Sequence, residues 1–380
     1  PTVQDIFHRF YPAYLDQYSP SPVQAKVAHN IMNCKTGAYG ANVCVCEDCG
    51  FVQIHYNSCR NRCCPMCQAV PKEMWMDARR EDVLDAPYFH LVFTVPDILN
   101  PVIYSNQRLL YDALYHAASS TISELTADPK HLGAKVGYIC ILHTWGSEMN
   151  FHPHIHTILL GGGLASNNQW KDNGENFFLP IRVISKMFRG KYLEELKRLW
   201  EEDKLVFHGT AEKFRNHYTF KELLDSCYGM DWIPHCKKTF NGAQTVIKYL
   251  GKYTHRIAVS NHRIVRMDDD TVTFLVKDYR NEGQWKELTI SGVEFVRRFL
   301  MHVPPRRFVR IRHYGLLCSR TKSQKLTLCR NLLGCKKYLS KLRDMEMPEI
   351  LEHLYGIKVC VCKACGGHLG KPQMRMPLRC

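Results

Sequence analysis

Eight of the chain's 18 cysteines fall between Cys34 and Cys67. A stretch that short has too little apolar volume to build a core, and below about 40 residues folding usually needs a metal or disulfides. Cys46-x2-Cys49 and Cys64-x2-Cys67 have knuckle spacing, and such pairs in an intracellular chain favour metal over disulfides. Together they predict one tetrahedral four-cysteine zinc site. Cys59-x3-Cys63 and His29-x4-Cys34 remain and interleave as a second site, with Cys44 and His55 as spares. Metal would supply much of the folding energy of this segment. Near the other end, Cys360, Cys362, Cys365, His368 and Cys380 suggest a third knuckle whose partner pair is incomplete. Cys140, Cys227, Cys236, Cys318, Cys329 and Cys335 read as small buried hydrophobes.

The next constraint is His154-Ile155-His156, inside HPHIHTILL (152 to 160). On a strand, residues i and i+2 share a face, so His154 and His156 point one way and Ile155 points into the core. That is half of a divalent-metal site. His152 shares their parity and could add a ligand or touch phosphate. For a third ligand, VGYICILHTW (136 to 145), read as the antiparallel neighbour, offers His143, and the turn GSEMNF offers Glu148. His143 is preferred, because a strand fixes a ligand better than a turn does. Gly161, Gly162 and Gly163 are expected to end the histidine strand.

GAQTVIKYLGKY (242 to 253) reads as a helix, on which Tyr249 and Tyr253 are four apart and share a face. A phenol can attack a phosphodiester and hold a DNA 5′ end covalently. Two core aromatics would be the ordinary explanation of such a pair. Lys248, Lys252, His255 and Arg256 border it, which a dry core stripe would not normally allow.

Charge points the same way. The net charge is +15, and from Arg297 to Arg343 there are 14 Lys and Arg and no Asp or Glu. A one-sign block of this kind attracts polyanions and is the expected footprint of nucleic-acid contact. Arg306, Arg307, Arg310 and Arg312, with Lys252 and Arg256 near the tyrosines, are the candidate DNA contacts. No run of 18 or more apolar residues is present, so no membrane span is expected. A basic start followed by a long apolar stretch is also missing, which argues against a signal peptide. Localisation is therefore expected to be cytoplasmic.

LHTWGSEMNFHPHIHTILLGGGL (142 to 164), YLGKYTHRIAVSNHRI (249 to 264), EFVRRFLMHVPPRRFVRIRHYGLL (294 to 317) and SCRNRCCPMCQ (58 to 68) together resemble the insertion sequence ninety-one family of two-tyrosine HUH transposases. The resemblance covers about residues 20 to 335. It implies single-strand DNA cleavage, a 5′-phosphotyrosine intermediate, rolling-circle-like transposition, and magnesium or manganese at the histidine pair. One departure stands out: Cys63 occupies a position where relatives commonly carry histidine, an exchange that zinc tolerates.

The expected fold is α+β. An HUH nuclease core with an antiparallel sheet flanked by helices is joined to a small zinc-binding module and a helical, basic C-terminal region. The expected spans are 1–71 for the N-terminal helix and zinc module, 72–295 for the nuclease, and 296–380 for the basic region. The expected partner is single-stranded DNA at transposon ends and target, with no membrane, and the protein a monomer or weak dimer. The alternatives are a plasmid relaxase or replication initiator with the same chemistry, or a zinc-dependent DNA-binding regulator without catalysis. No G-x4-G-K-[ST] motif indicates a fused helicase.

Overall fold

A computed structural model describes residues 1–174, 177, 179–232, 234–240, 246, 251, 258–278, 283–371 and 373–375. The chain opens with α1 (Val3–Leu15), capped by a reciprocal Thr2–Asp5 box, and α2 (Pro22–Met32), restarted by a Ser21–Gln24 box with Pro22 in its first turn. These caps satisfy amide groups that a helix start leaves unpaired. A hairpin of β1 (Ala41–Val45) and β2 (Val52–Tyr56) follows, then α3 (Ala69–Arg80), β3 (Tyr88–Thr94), α4 (Asn100–Ser105) and α5 (Gln107–Ala127). The next elements are β4 (Lys135–Trp145), β5 (Phe151–Leu164), β6 (Trp170–Asp172), α6 (Ile181–Glu201), α7 (His217–Gly229) and β7 (His235–Phe240). A three-stranded meander of β8 (Ile264–Met267), β9 (Thr271–Asp278) and β10 (Gln284–Ser291) leads into α8 (Gly292–Met301). The last elements are β11 (Ile311–Gly315), α9 (Lys322–Leu333), α10 (Met347–Tyr355) and β12 (Gln373–Arg375).

The central sheet has the order β11-β4-β5-β3-β7, with every pairing antiparallel and β6 added on β5. Its strands alternate, and the two faces have different fates. Phe89, Leu91, Phe93, Tyr138, Cys140, Leu142, Ile155 and Leu159 pack in one cluster with Leu110, Leu114 and Ile122 of α5 and Phe188, Tyr192 and Leu196 of α6. Within each helix these residues are spaced by four or eight positions, as a core-facing stripe requires. The opposite face carries Ile139, Ile141, Ile158 and Leu160, packed with Met76 of α3, Leu326 and Cys329 of α9, and Val246.

A second core joins the N-terminal helices to the meander. Phe7 meets Phe299 of α8 edge-on at 5.2 Å, and Phe274 of β9 meets Phe295 in the same way at 5.6 Å. The third strand of the β1–β2 sheet is β12, paired with β1 from Ala41↔Arg375 to Val43↔Gln373.

Two elements differ from the sequence expectation. The histidine strand runs through all three glycines to Leu164. A Cβ at Gly163 would overlap the Lys135 carbonyl, and one at Gly161 would lie 2.9 Å from the Phe89 ring. Glycine here permits close approach between neighbouring strands and does not end the strand. The basic region is helical in α8, α9 and α10, but Ile311–Gly315 is a strand on the β4 edge. Its residues alternate, and a sheet edge accommodates charged side chains.

Candidate functional site

The register of β4 against β5 sets His143 opposite His154 and Ile141 opposite His156. His143, His154 and His156 thus share the face opposite α5 and α6, and all three are buried. Ring nitrogens of the three lie within 4.8 Å of one another. The Nε2 atoms of His154 and His156 are 3.1 Å apart. Neighbouring nitrogens around one metal ion, each about 2.1 Å from it, are separated by about that edge. The other nitrogens are turned outward. His154 Nδ1 donates to the His152 carbonyl at 2.7 Å, and His156 Nδ1 lies 2.9 Å from His90 Nε2. Such second contacts fix the tautomer of a ligating imidazole.

Burial, helped by the neighbouring His152, pulls His154 down to about 4, and burial with nearby histidines holds His156 well below its ordinary value. Both rings are therefore neutral at pH 7, as metal ligation requires. The set fits a divalent cation held by three protein ligands. Glu148 is exposed in the turn and stands outside this group. His152 is turned to Asp97 at 3.2 Å.

His90 was not among the sequence candidates. It sits on β3 two residues before Val92, which pairs with His156, so it shares the metal face. Its ring stacks on that of His156 at 5.1 Å and 12°. The available signal was its parity within YFHLVFT, a single histidine in an apolar strand. His302 was also missed. Its Nε2 donates to the Met149 carbonyl at 3.0 Å and its Nδ1 accepts from the Thr144 hydroxyl at 3.1 Å, which ties α8 to the turn between β4 and β5.

Tyr249, Tyr253, Lys252 and Arg256 lie outside the described residues. Two positions of their segment are described. Val246 is buried in the cluster on the histidine face. Gly251 is buried against α3, where an added Cβ would overlap the Met76 thioether and come within 3.3 Å of Lys72 Cε.

The four arginines of the basic block fall in different settings. Arg306 and Arg307 are exposed. Arg310 lies over the Trp145 ring at 5.6 Å, and Trp145 stacks on His143 at 4.5 Å. Arg312 pairs with Asp112 and lies over the Tyr115 ring at 4.0 Å.

The cysteines gather differently from the expected pairing. Cys34, Cys59, Cys64 and Cys67 form one group, with sulfurs 3.2 Å apart for Cys34–Cys67 and 3.5 Å for Cys59–Cys67. A zinc ion with sulfur arms of about 2.3 Å needs a group of this size, so these residues fit it. Cys46 and Cys49 are not with Cys64 and Cys67 but with Cys362 and Cys365. Cys63 and His29 join neither group. The Asn61–Cys64 turn, closed by the Cys64 amide on the Asn61 carbonyl at 3.0 Å, aims Cys64 at the cluster, while Cys63 is buried beside Arg62 and Arg310. His29 is exposed at the end of α2, within 3.3 Å of the Asn33 amide. Cys44 is buried, Cys360 is exposed, and Cys380 lies outside the described residues. Of the scattered cysteines, Cys140, Cys227 and Cys329 are buried, Cys236 and Cys335 partly so, and Cys318 is exposed just before α9.

Residues 137–325 match the family model described as "Putative transposase", and residues 6–95 match "Transposase zinc-binding domain". "Putative transposase y4qJ" of Sinorhizobium fredii is 40% identical over 369 residues, 96% of this chain and 93% of the relative. The transposase for insertion sequence element IS801 of Pseudomonas savastanoi pv. phaseolicola is 30% identical over 309 residues, 80% of this chain and 72% of the relative. Among solved structures, a conjugative relaxase TrwC in complex with oriT DNA aligns with 43% of this chain and 68% of its own. Its identity is 12% and its TM-score 0.25. No described helix is long and apolar enough to cross a membrane.

Proposed function

The chain belongs to the insertion sequence ninety-one family of transposases, and on that premise we propose that it nicks single-stranded DNA at the ends of its element and rejoins strands through a 5′-phosphotyrosine intermediate. The observation that carries this reading is the set of three buried imidazoles converging from two paired strands. A bound magnesium or manganese ion there would polarise the scissile phosphate and offset the charge that develops on the leaving 3′ oxygen.

Tyr249 and Tyr253 are the proposed nucleophiles. A phenolic oxygen forms a bond to phosphorus as the bond from phosphorus to the 3′ oxygen breaks, and the released 3′ hydroxyl takes a proton. The number of phosphodiester-type bonds is conserved, so a second strand can reverse the step without an external energy source. Two anchor points support the tyrosine assignment: Val246 packs on the histidine face of the sheet, and Gly251 lies against α3, which packs on that same face. Lys252, Arg256, Arg306 and Arg307 supply positive charge for the DNA backbone. Cys34, Cys59, Cys64 and Cys67 hold a structural zinc ion that ties the loop before α3 to the end of α2.

The test is a cleavage assay on labelled single strands from each end of the parent element, read on denaturing gels. Wild type is expected to leave a protein–DNA adduct that maps to Tyr249 or Tyr253. The Tyr249→Phe, Tyr253→Phe double variant is expected to leave none, and His154→Ala and His156→Ala to lose nicking while still binding DNA. Normal nicking by both histidine variants, or full adduct yield in the double tyrosine variant, would overturn the proposal.

A further inference from the structure

Cys46 and Cys49 lie on a short loop that closes the β1–β2 hairpin, and Cys362 and Cys365 lie more than 300 residues later. The fold brings the two pairs together. All four sulfurs are within 4.8 Å of one another, with Cys46–Cys365 at 3.5 Å and Cys49–Cys362 at 3.7 Å. A tetrahedral zinc ion with sulfur arms of about 2.3 Å requires sulfur–sulfur edges of about 3.8 Å. A disulfide requires about 2.05 Å, and two disulfides would draw the sulfurs into pairs.

The backbone supports the same ligand without reference to the sulfurs. Both pairs sit in Cys-x2-Cys-Gly turns of one shape. The Gly50 amide donates to the Cys46 carbonyl at 3.0 Å, and the Gly366 amide donates to the Cys362 carbonyl at 2.9 Å. Both glycines are left-handed, at φ 71° and 79°. In the second turn the amides of Ala364 and Gly367 point at the sulfurs of Cys362 and Cys365, each at 3.4 Å. Amide donors on sulfur favour the thiolate that zinc needs.

The two turns are docked by main-chain contacts. The Glu47 amide donates to the His368 carbonyl at 3.1 Å, and the Gly370 amide donates to the Val45 carbonyl at 2.9 Å. The β1–β12 ladder continues the same alignment. Apolar packing at this junction is slight: its cluster is Cys44, Cys46, Cys362 and Leu369, and three of those four are cysteines. The junction therefore has ligand geometry and backbone register but almost no core.

We propose that Cys46, Cys49, Cys362 and Cys365 ligate a second zinc ion, separate from the one at Cys34, Cys59, Cys64 and Cys67, and that this ion fastens the C-terminal segment to the N-terminal hairpin. The inference rests on these four thiols and is independent of the nicking chemistry.

Zinc content of the full chain tests it, measured by elemental analysis after purification under reducing conditions. A His154→Ala, His156→Ala background removes any zinc bound by the imidazoles. Two zinc ions per chain are expected in that background, and one in the Cys362→Ser, Cys365→Ser variant. A variant-free measurement guards against misfolding. Cys49, Cys365, Cys318 and Cys360 are all exposed, so without a metal all four are open to an alkylating reagent. Ligation is expected to slow Cys49 and Cys365 at least tenfold relative to Cys318 and Cys360, and a strong chelator to abolish the difference. One zinc per chain, two zinc ions retained in the cysteine variant, or alkylation of Cys49 and Cys365 at the rate of Cys318 would overturn the proposal.

Discussion

His90→Phe should weaken divalent-metal binding while leaving the metal-free protein nearly as stable as before. The reasoning starts from tautomers. With metal on Nε2, His156 must carry its proton on Nδ1, which lies 2.9 Å from His90 Nε2. His90 is then the acceptor. Phenylalanine keeps a ring of similar volume at this buried position but offers no acceptor. Weakening a buried donor's partner costs about 1–3 kcal/mol. Without metal, His156 can move its proton to Nε2 and donate to His154 Nε2 at 3.1 Å, which avoids most of that cost. The penalty therefore falls on the metal-bound state alone. At about 1.4 kcal/mol per factor of ten, it corresponds to a loss of roughly 5- to 150-fold in affinity, in line with other outer-shell partners of metal-bound histidines. Manganese titration by calorimetry, with thermal unfolding in chelator, measures both quantities. His90→Gln, which restores a carbonyl acceptor, should recover part of the affinity. Unchanged manganese affinity in His90→Phe, or a fall in metal-free stability as large as the fall in binding, would refute the tautomer argument.

Two further predictions concern charge. Arg306→Ala with Arg307→Ala should weaken single-strand binding and reduce the salt slope by up to about 1.4, at about 0.7 per lost phosphate contact. Arg312→Ala should leave the slope unchanged but destabilise the fold by about 1–2 kcal/mol, because it removes a partly exposed pair with Asp112 and the cover over Tyr115. Asp77, on α3, accepts from Ser340, Tyr338 and the Leu342 amide. Burial would raise its carboxyl, but these hydrogen bonds outweigh burial and hold it below the ordinary value. A depressed folded-state value stabilises the protein above the unfolded value of about 3.9 and ceases to do so as pH falls through the folded one. Asp77→Asn should therefore cost about 1–3 kcal/mol at pH 7, with the gap in urea midpoint closing below about pH 4; a gap independent of pH would contradict this.

The histidine face was legible because a strand has a period of two: once His154 and His156 were on one side, pairing with the preceding strand put His143 opposite. His90 was equally legible by parity, but nothing local distinguished it from an ordinary core histidine until the β3–β5 register placed it against His156. The cysteine pairing was not legible. A Cys-x2-Cys spacing identifies half of a site and carries no information about its other half, so nearness in sequence suggested Cys64 and Cys67 for Cys46 and Cys49. The true neighbour of Cys49 lies 313 residues away. Strand β11 was hidden by a different effect: Arg312 within it, and the arginines and prolines before it, suppress the hydrophobic pattern that marks a strand, and only the edge that β4 offers explains it.

The sheet of β12, β1 and β2 also sets an order of events during synthesis. The hairpin is made first, and its third strand and two of its four clustered thiols follow more than 300 residues later. At about 5–20 residues per second, the 313 residues between Cys49 and Cys362 take about 15 to 60 s to appear. For that interval Val52, Ile54 and Tyr56, exposed even in the finished protein, stand on a two-stranded ribbon, a form only marginally stable in water. A chain broken off before Cys362 would keep that ribbon open, whatever else it had folded. The hairpin thus reports on whether the basic region behind it has been completed.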